Sequence, residues 1–128
     1  MKPLTIEWIE KAEGDYASAY RELRARKHPN YDAACFHAQQ CIEKYLKARL
    51  QEAEIPFTKT HDLSVLLDLV LSIEPFWEAF RSQLRSLSSY AIEYLYPGQS
   101  ADKVMARQMV AICRDLRKTI RVSMGLET

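Results

Sequence analysis

The most concentrated polar chemistry in the chain lies within one predicted helix, over residues 35–47. An imidazole, an amide, a thiol and two ammonium groups recur there at steps of three or four residues, which places them on one side of an α-helix. Such a ridge suits an anionic ligand, because lysines supply point charges and a glutamine amide orients the ligand by hydrogen bonding. The alternative is an ordinary helix with exposed Lys and Glu side chains and one buried, hydrogen-bonded histidine. The ridge consists of His37, Gln40, Cys41, Lys44 and Lys47, flanked by Glu43.

Other kinds of chemistry find less support in the same residues. His37 and Cys41 stand four residues apart and His61 could add a third ligand, but structural zinc takes four ligands, commonly with a close pair such as C-x2-C. The chain has no such pair, so we predict no metal site. Cys35 and Cys113 have the pattern of core residues, whereas the sequence leaves the environment of Cys41 open. With only three glycines, phosphate loops and dinucleotide fingerprints are excluded, and we predict no cofactor.

The elements that must position these residues are helical throughout. Apolar residues recur at steps of three and four from end to end, and no alternating strand pattern stands out. We predict an all-α fold, an antiparallel up-and-down bundle of four long helices plus one short helix, in a single domain over residues 1–128. The first helix should end near Arg26, the second should span 32–54, a short third should be capped by Thr60 or Asp62, the fourth should start at Pro75, and the last should run from a Ser100 cap to Gly125.

Composition narrows the class of protein. The chain of 128 residues is 48% apolar, and its 18 basic and 17 acidic residues nearly cancel, which argues against disorder and against a generic basic nucleic-acid binder. The charge is segregated, however: residues 61–99 carry two basic and five acidic side chains, and residues 100–128 carry six and three. We therefore expect a moderately basic surface on the last helix, formed by Arg107, Arg114, Arg117, Lys118 and Arg121.

The sequence also predicts the cellular compartment. We expect no signal peptide, because charged residues interrupt the N-terminal apolar positions, and no stretch is long enough to span a membrane. An odd number of cysteines, two of them within an apolar helical pattern, predicts free thiols in a reducing, cytoplasmic environment.

Three segments give the chain a resemblance to a known family. The run Ala34–Ala48, the sequence Thr60-His61-Asp62-Leu63 and the later Tyr94-Leu95-Tyr96-Pro97 resemble the HEPN domain, and the spacing of Trp8, Ala12, Asp15 and Ala19 is similar to its first helix. The resemblance implies a helical up-and-down bundle, frequently dimeric, encoded in prokaryotes beside a minimal nucleotidyltransferase. Some members are toxins of toxin–antitoxin pairs and act as metal-independent ribonucleases; others are thought to bind nucleotides or a partner subunit.

The ribonuclease signature of the family is missing from its expected place. Catalytic members carry an arginine followed after four to six residues by a histidine, usually in the second half of the chain. Here no histidine follows His61, the one pair with a permitted spacing is Arg21 and His28 in a basic helix end, and Leu95 stands where the family often has arginine before Tyr-Pro. His37 or His61 with Lys44 would supply an acid–base group and a cation, but no motif marks them.

These observations lead to three hypotheses. The first is a non-catalytic HEPN-like protein, a homodimer, that binds a nucleotide or a minimal nucleotidyltransferase partner in a toxin–antitoxin-like module. Its binding residues would be His37, Gln40, Lys44, Lys47, His61 and Asp62. The second is a metal-independent ribonuclease toxin with a divergent active site, acting on RNA, and the third is a purely structural interaction subunit.

Overall fold

The chain folds into five α-helices and one 3₁₀ helix without any β-strand, which confirms the all-helical prediction. A computed structural model describes all residues, 1–128. None of its helices combines the length and the apolar character that crossing a membrane would require. The helices are α1 (Pro3–Arg24), α2 (Tyr31–Glu52), α3 (Leu63–Val70), the 3₁₀ helix (Pro75–Phe80), α4 (Arg81–Glu93) and α5 (Lys103–Ser123).

The helix boundaries follow from local sequence. The side chain of Asn30 caps α2 by accepting from the Ala33 N–H, and Asp62 caps α3 in the same way. The prediction that Ser100 caps the last helix is wrong: Asp102 does so, its carboxylate accepting from the Met105 N–H at 2.8 Å. A carboxylate there also meets the positive end of the helix dipole, which a hydroxyl group does less well.

The predicted fourth long helix is divided. Pro75 begins helical structure where expected, but its first six residues form the 3₁₀ helix, and α4 itself has only 13 residues. Three helices of 21 or 22 residues and two shorter ones therefore build the fold. A 3₁₀ turn is a frequent connector of this kind, tighter than an α-helix and used in short pieces.

Helix α2 lies at the centre of the molecule and contacts α1, α3, α4 and α5. Twelve of its 22 residues are buried, and Ile42, Tyr45, Leu46 and Leu50 are among the largest side chains fully enclosed in the core. The core forms one continuous cluster of 23 residues. Because the central helix carries polar as well as apolar side chains inward, its polar groups must find partners on the surrounding helices.

One such set of partners ties α1, α2 and α5 together around Glu13. The Arg117 guanidinium donates to both oxygens of Glu13, at 2.7 and 2.6 Å, and the Tyr45 hydroxyl donates to the same carboxylate. Arg121 donates to the Tyr45 hydroxyl at 2.9 Å. Burial acts to raise the pKa of Glu13, but the hydrogen bonds from Arg117 and Tyr45 outweigh it and hold that pKa below its ordinary value.

This cluster corrects the expected basic surface of the last helix. Arg117 and Arg121 each expose only 13% of their side chains and pair with Glu13, and Arg114 pairs with the adjacent Asp115. Only Arg107 and Lys118, of the five basic residues proposed for that surface, have no carboxylate partner. The reason is long-range: Glu13 comes from the first helix of the chain, so the neighbours of Arg117 in sequence give no sign of it.

The Glu13 cluster predicts a pH-dependent stability. The pKa of Glu13 is lower in the folded than in the unfolded chain. Its contribution to the free energy of unfolding is therefore complete above the unfolded pKa near 4.5 and is lost as the pH falls through the folded pKa. We expect Glu13→Gln to lower the urea unfolding midpoint at neutral pH, and the gap to the wild type to shrink below pH 4.5. Glu10→Gln, on the exposed face of the same helix, should show no such gap; a pH-independent gap for Glu13→Gln would contradict the assignment.

Candidate functional site

Five of the six predicted site residues fall into two hydrogen-bonded networks instead of one ridge, and the sixth, Asp62, caps α3. In the first network, the carboxylate of Asp15 on α1 faces α2 and binds two of the predicted site residues, one with each oxygen. His37 Nδ1 lies 2.8 Å from Asp15 Oδ1, and the Lys44 ammonium pairs with Oδ2. All three side chains are partly or largely buried. Lys44 is thus neutralised by a carboxylate of its own chain and is not a free point charge for a ligand.

The second network is centred on Glu43, whose side chain is 3% exposed. Lys47, itself 7% exposed, donates to Glu43 Oε2 at 3.0 Å, and its ammonium also lies 5.5 Å from the centre of the Trp8 ring. His61 Nδ1 lies 3.1 and 3.2 Å from the two oxygens of Glu43. Lys47 is therefore buried among the helices, unlike the exposed lysines of the ordinary-helix alternative.

Two glutamines extend the second network to the backbone. Gln39 donates to the His61 carbonyl at 3.0 Å and to Glu43 at 3.3 Å, while the Gln40 amide donates to Gln39 Oε1 at 2.8 Å. The loop residue His61 is therefore held at both its main chain and its ring by side chains of α2. Since an ionised carboxylate only accepts hydrogen bonds, Nδ1 must carry the proton, and Nε2 is left without a partner in the protein.

The ring of His61 is buried at its Nδ1 edge but open elsewhere, with 79% of its side chain exposed. His61 lines two cavities, of about 350 Å³ and 540 Å³, which have His61 and Ile92 in common and therefore adjoin. We call the combined depression the His61 groove. Its first half is lined by Phe36, Gln39, Gln40, Ala91, Ile92 and Leu95, and its second half by Asp62, Ser64, Arg85, Ser88, Ser89 and Ile92.

The two halves differ in character. The first is mostly apolar, with the amides of Gln39 and Gln40 at its polar edge. The second contains hydroxyl groups and one cation, Arg85, which is exposed and forms no ion pair. Asp62 lines the second half but is already engaged, since its carboxylate accepts from the Ser64 N–H at 2.9 Å. A ligand with an apolar ring and an anionic group fits this division.

Arg85, Phe36 and Ile92 belong to the groove but were not among the predicted site residues. Arg85 lies 24 positions after His61, so no local motif connects the two. One weak signal exists in the sequence: the positions three and four residues from Arg85 on either side hold no acidic residue. Arg85 therefore has no ion-pair partner at helical spacing on its own helix. The apolar side chains carry no signal, because helical spacing assigns them equally well to the core.

The residues of the other candidate sites do not come together in the structure. All three cysteines are free and buried. Burial raises the pKa of Cys35 to about 12 and that of Cys41 well above its usual range, which removes these two thiols as nucleophiles at neutral pH. No cluster of three or more His, Cys, Asp or Glu side chains is arranged to hold a metal ion. Arg21 and His28 are both exposed and share no hydrogen bond.

The buried pair behind His61 gives a test of this site. We expect Lys47→Met to lower the free energy of unfolding by about 3 kcal/mol, because loss of one partner leaves a buried charge unpaired. The double variant Glu43→Gln/Lys47→Met should lose less than the sum of the single variants in urea unfolding. Lys118→Met, at an exposed position on α5, serves as the control and should change little. Strictly additive losses would contradict a direct Glu43–Lys47 interaction.

Residues 5–123 match the family model of the HEPN domain, a span that contains both networks and every residue lining the His61 groove. Comparisons with curated proteins and with solved structures give no match. Together with the helical fold, the family match confirms the resemblance of the segments 34–48 and 60–63: the chain belongs to the HEPN domain family.

Proposed function

We propose that this HEPN-domain protein is a non-catalytic binding protein that holds a nucleotide in the His61 groove. The observation that carries the proposal is the groove itself, apolar in one half and lined by an unpaired arginine and three serines in the other, with the imidazole of His61, held by Glu43, common to both. Nucleotides combine the same two characters, a flat ring system and a phosphate. Of the six predicted binding residues, Gln40 and His61 would meet the ligand, Asp62 would position the start of α3 as its cap, and Lys47 would act by holding Glu43.

The apolar half suits a base. Phe36 and Ile92 offer apolar surface to a ring, and an aromatic side chain stacks on any base because every base has a π-face. The amide of Gln40 offers both donor and acceptor atoms for the edge of the base. His61 lines both halves, and its Nε2, which has no partner in the protein, would accept a hydrogen bond from a sugar hydroxyl or, once protonated, donate one to a phosphate.

The second half suits the phosphate. Arg85 is a planar fork of donors that matches phosphate oxygens in pairs, and it has no carboxylate partner to displace. The hydroxyls of Ser88 and Ser89, one helical turn further along α4, add neutral donors on the same wall. His37 and Lys44 lie outside the lining of the groove and are held by Asp15, so their part in binding would be to fix α2 against α1.

The proposal extends to assembly. The resemblance implies a homodimer and a minimal nucleotidyltransferase partner in a toxin–antitoxin-like module. Exposed apolar side chains continue from the groove past the C-terminal end of α4. Ile92, Leu95 and Tyr96 are each more than half exposed. Aliphatic and aromatic residues grouped at one site mark interaction surfaces more often than scattered ones do. We place the homodimer contact at this patch.

A second candidate function is a metal-independent ribonuclease, which one observation favours. A carboxylate that fixes the Nδ1–H of an exposed histidine leaves Nε2 available as a general base, and Arg85 in the same groove would stabilise developing phosphate charge. This arrangement differs from the family signature in both residues and spacing. His61 would then act directly on RNA, and Glu43 would position it.

Nucleotide binding predicts a ligand-dependent stability. A nucleotide at about 100 times its Kd should add about 2.7 kcal/mol to the free energy of unfolding, a rise of several degrees in Tm with millimolar AMP or GMP. His61→Ala and Arg85→Gln should abolish the rise. His28→Asn should retain it, because His28 is exposed with a φ of 52° that asparagine tolerates.

The outcomes separate the hypotheses. No shift with any nucleotide would overturn the binding proposal in its nucleotide form. Cleavage of RNA by the same preparation in the presence of a chelator, lost in His61→Ala and kept in His28→Asn, would establish the ribonuclease instead.

Assembly is tested by size and by co-purification. We expect the wild type to elute as a dimer in size-exclusion chromatography with light scattering, and to co-purify with the nucleotidyltransferase encoded beside it. Leu95→Ser should shift the chain toward monomer, whereas Val122→Ser, at a side chain exposed to nearly the same degree (61% against 64%), should not. A monomeric wild type, or a dimer equally weakened by both changes, would contradict the assigned patch.

A further inference from the structure

A second concave site lies away from the His61 groove, where the end of α1 and the connection to α2 meet the start of α5. Its volume is about 600 Å³, and four of the residues that line it are cations: Arg24, Arg26, Lys103 and Arg107. No acidic residue lines it. We call it the basic cleft. It goes beyond the function proposed above, since it shares no residue with the His61 groove.

The cations of the basic cleft are unpaired, in contrast to those of the helix core. Arg117, Arg49 and Lys47 each bind a carboxylate, whereas none of the four cleft cations forms an ion pair or a side-chain hydrogen bond. The acidic residues at the nearby helix starts are engaged otherwise. Asp32 accepts from the Ala101 N–H at 2.7 Å, and Asp102 accepts from the Met105 N–H. The positive charge of the cleft is therefore left available.

Helix stability does not account for this charge. Arg24 lies in the last turn of α1, where a cation is favourable, but Lys103 is the first residue of α5 and Arg107 follows one turn later. The N-terminal end of a helix carries partial positive charge, so cations there are disfavoured and acidic residues preferred. The unpaired Lys103 therefore carries an electrostatic cost that a bound anion would remove, and the unpaired Arg107, one turn further on, adds to the positive charge near the same end.

The geometry also points to phosphate in particular. The Arg24 guanidinium lies over the Tyr20 ring, 4.5 Å from its centre, a stacking that fixes its plane while its N–H edges remain free to donate. Arginine forks bind phosphate oxygens in pairs, and lysine adds a mobile point charge. Three guanidinium groups and one ammonium around one cleft match a ligand with several phosphates better than a single small anion.

We propose that the basic cleft binds a ligand carrying two or more neighbouring phosphate groups. Arg24 and Arg107, from α1 and α5, would clamp the phosphates from two sides, and Arg26 and Lys103 would neutralise the remaining charge. Two sources share this chemistry: a free polyphosphate group, as in a small molecule, and the backbone of an RNA strand. The same cations would serve either, and the experiment distinguishes them.

The test uses inorganic tripolyphosphate and a short RNA without a terminal phosphate, each titrated into the full chain by calorimetry. We expect Arg24→Gln/Arg107→Gln to weaken binding by about tenfold or more. The matched control Lys59→Gln/Lys118→Gln removes the same charge from exposed positions elsewhere and should leave binding nearly unchanged. A loss of binding in Arg24→Gln/Arg107→Gln assigns the probe to the basic cleft, whereas a loss confined to Arg85→Gln would assign it to the His61 groove, so that this proposal and the nucleotide proposal fail independently.

The two probes identify the source. Binding of tripolyphosphate alone assigns a small-molecule polyphosphate; binding of the RNA, with a slope of log K against log salt that falls by about 0.7 for each phosphate contact removed, assigns a strand. If the first pair of changes prevents folding, Arg26→Gln/Lys103→Gln replaces it, since both positions are exposed. Absence of binding by both probes, or equal loss in the cleft and control variants, would overturn the proposal.

Discussion

The central position of α2 is the constraint on which the other features of this molecule depend. Every other α-helix contacts it, so its polar side chains are enclosed along with its apolar ones. A buried polar group without a partner is strongly destabilising, and here every buried side-chain nitrogen and oxygen has a hydrogen-bond partner. Glu13 and Asp15 reach α2 from α1, and Glu43 with Lys47 forms a pair within it. The helices are therefore fixed to one another by paired charges as well as by apolar packing.

That pairing also prepares the candidate site. Glu43 must be satisfied from inside the bundle, and the groups that satisfy it are Lys47, Gln39 and the ring of His61. The orientation of an exposed loop histidine is thus a consequence of burying a carboxylate on the central helix. A binding or acid–base group gains from being held in advance, because less conformational freedom is lost when the ligand arrives.

The sequence predicted the helical class and offered Asp62 as one of two caps for α3, because these depend on neighbours only a few residues away. It did not predict which cations are free. Arg117 and Glu13 lie 104 positions apart and Lys44 and Asp15 lie 29 apart, so tertiary packing alone decides those pairs. The pair Glu43–Lys47 has helical spacing and was visible in principle, but spacing gives no measure of burial. Of the six predicted site residues, Gln40, His61 and Asp62 consequently line the His61 groove, whereas His37, Lys44 and Lys47 are paired with carboxylates inside the bundle.

The distinction between paired and unpaired cations separates what folding explains from what it does not. A formal net charge of +1 describes neither the neutral interior of the bundle nor the four cations of the basic cleft. Folding accounts for Lys44, Lys47 and Arg117, since each offsets a carboxylate that the bundle encloses. It gives no account of Lys103, which stands unpaired at the first position of α5 where the helix dipole opposes a cation, or of the unpaired Arg107 one turn further on. Because residues that weaken a fold are retained mainly where function requires them, the charge left over after folding is the better guide to a binding surface than the total.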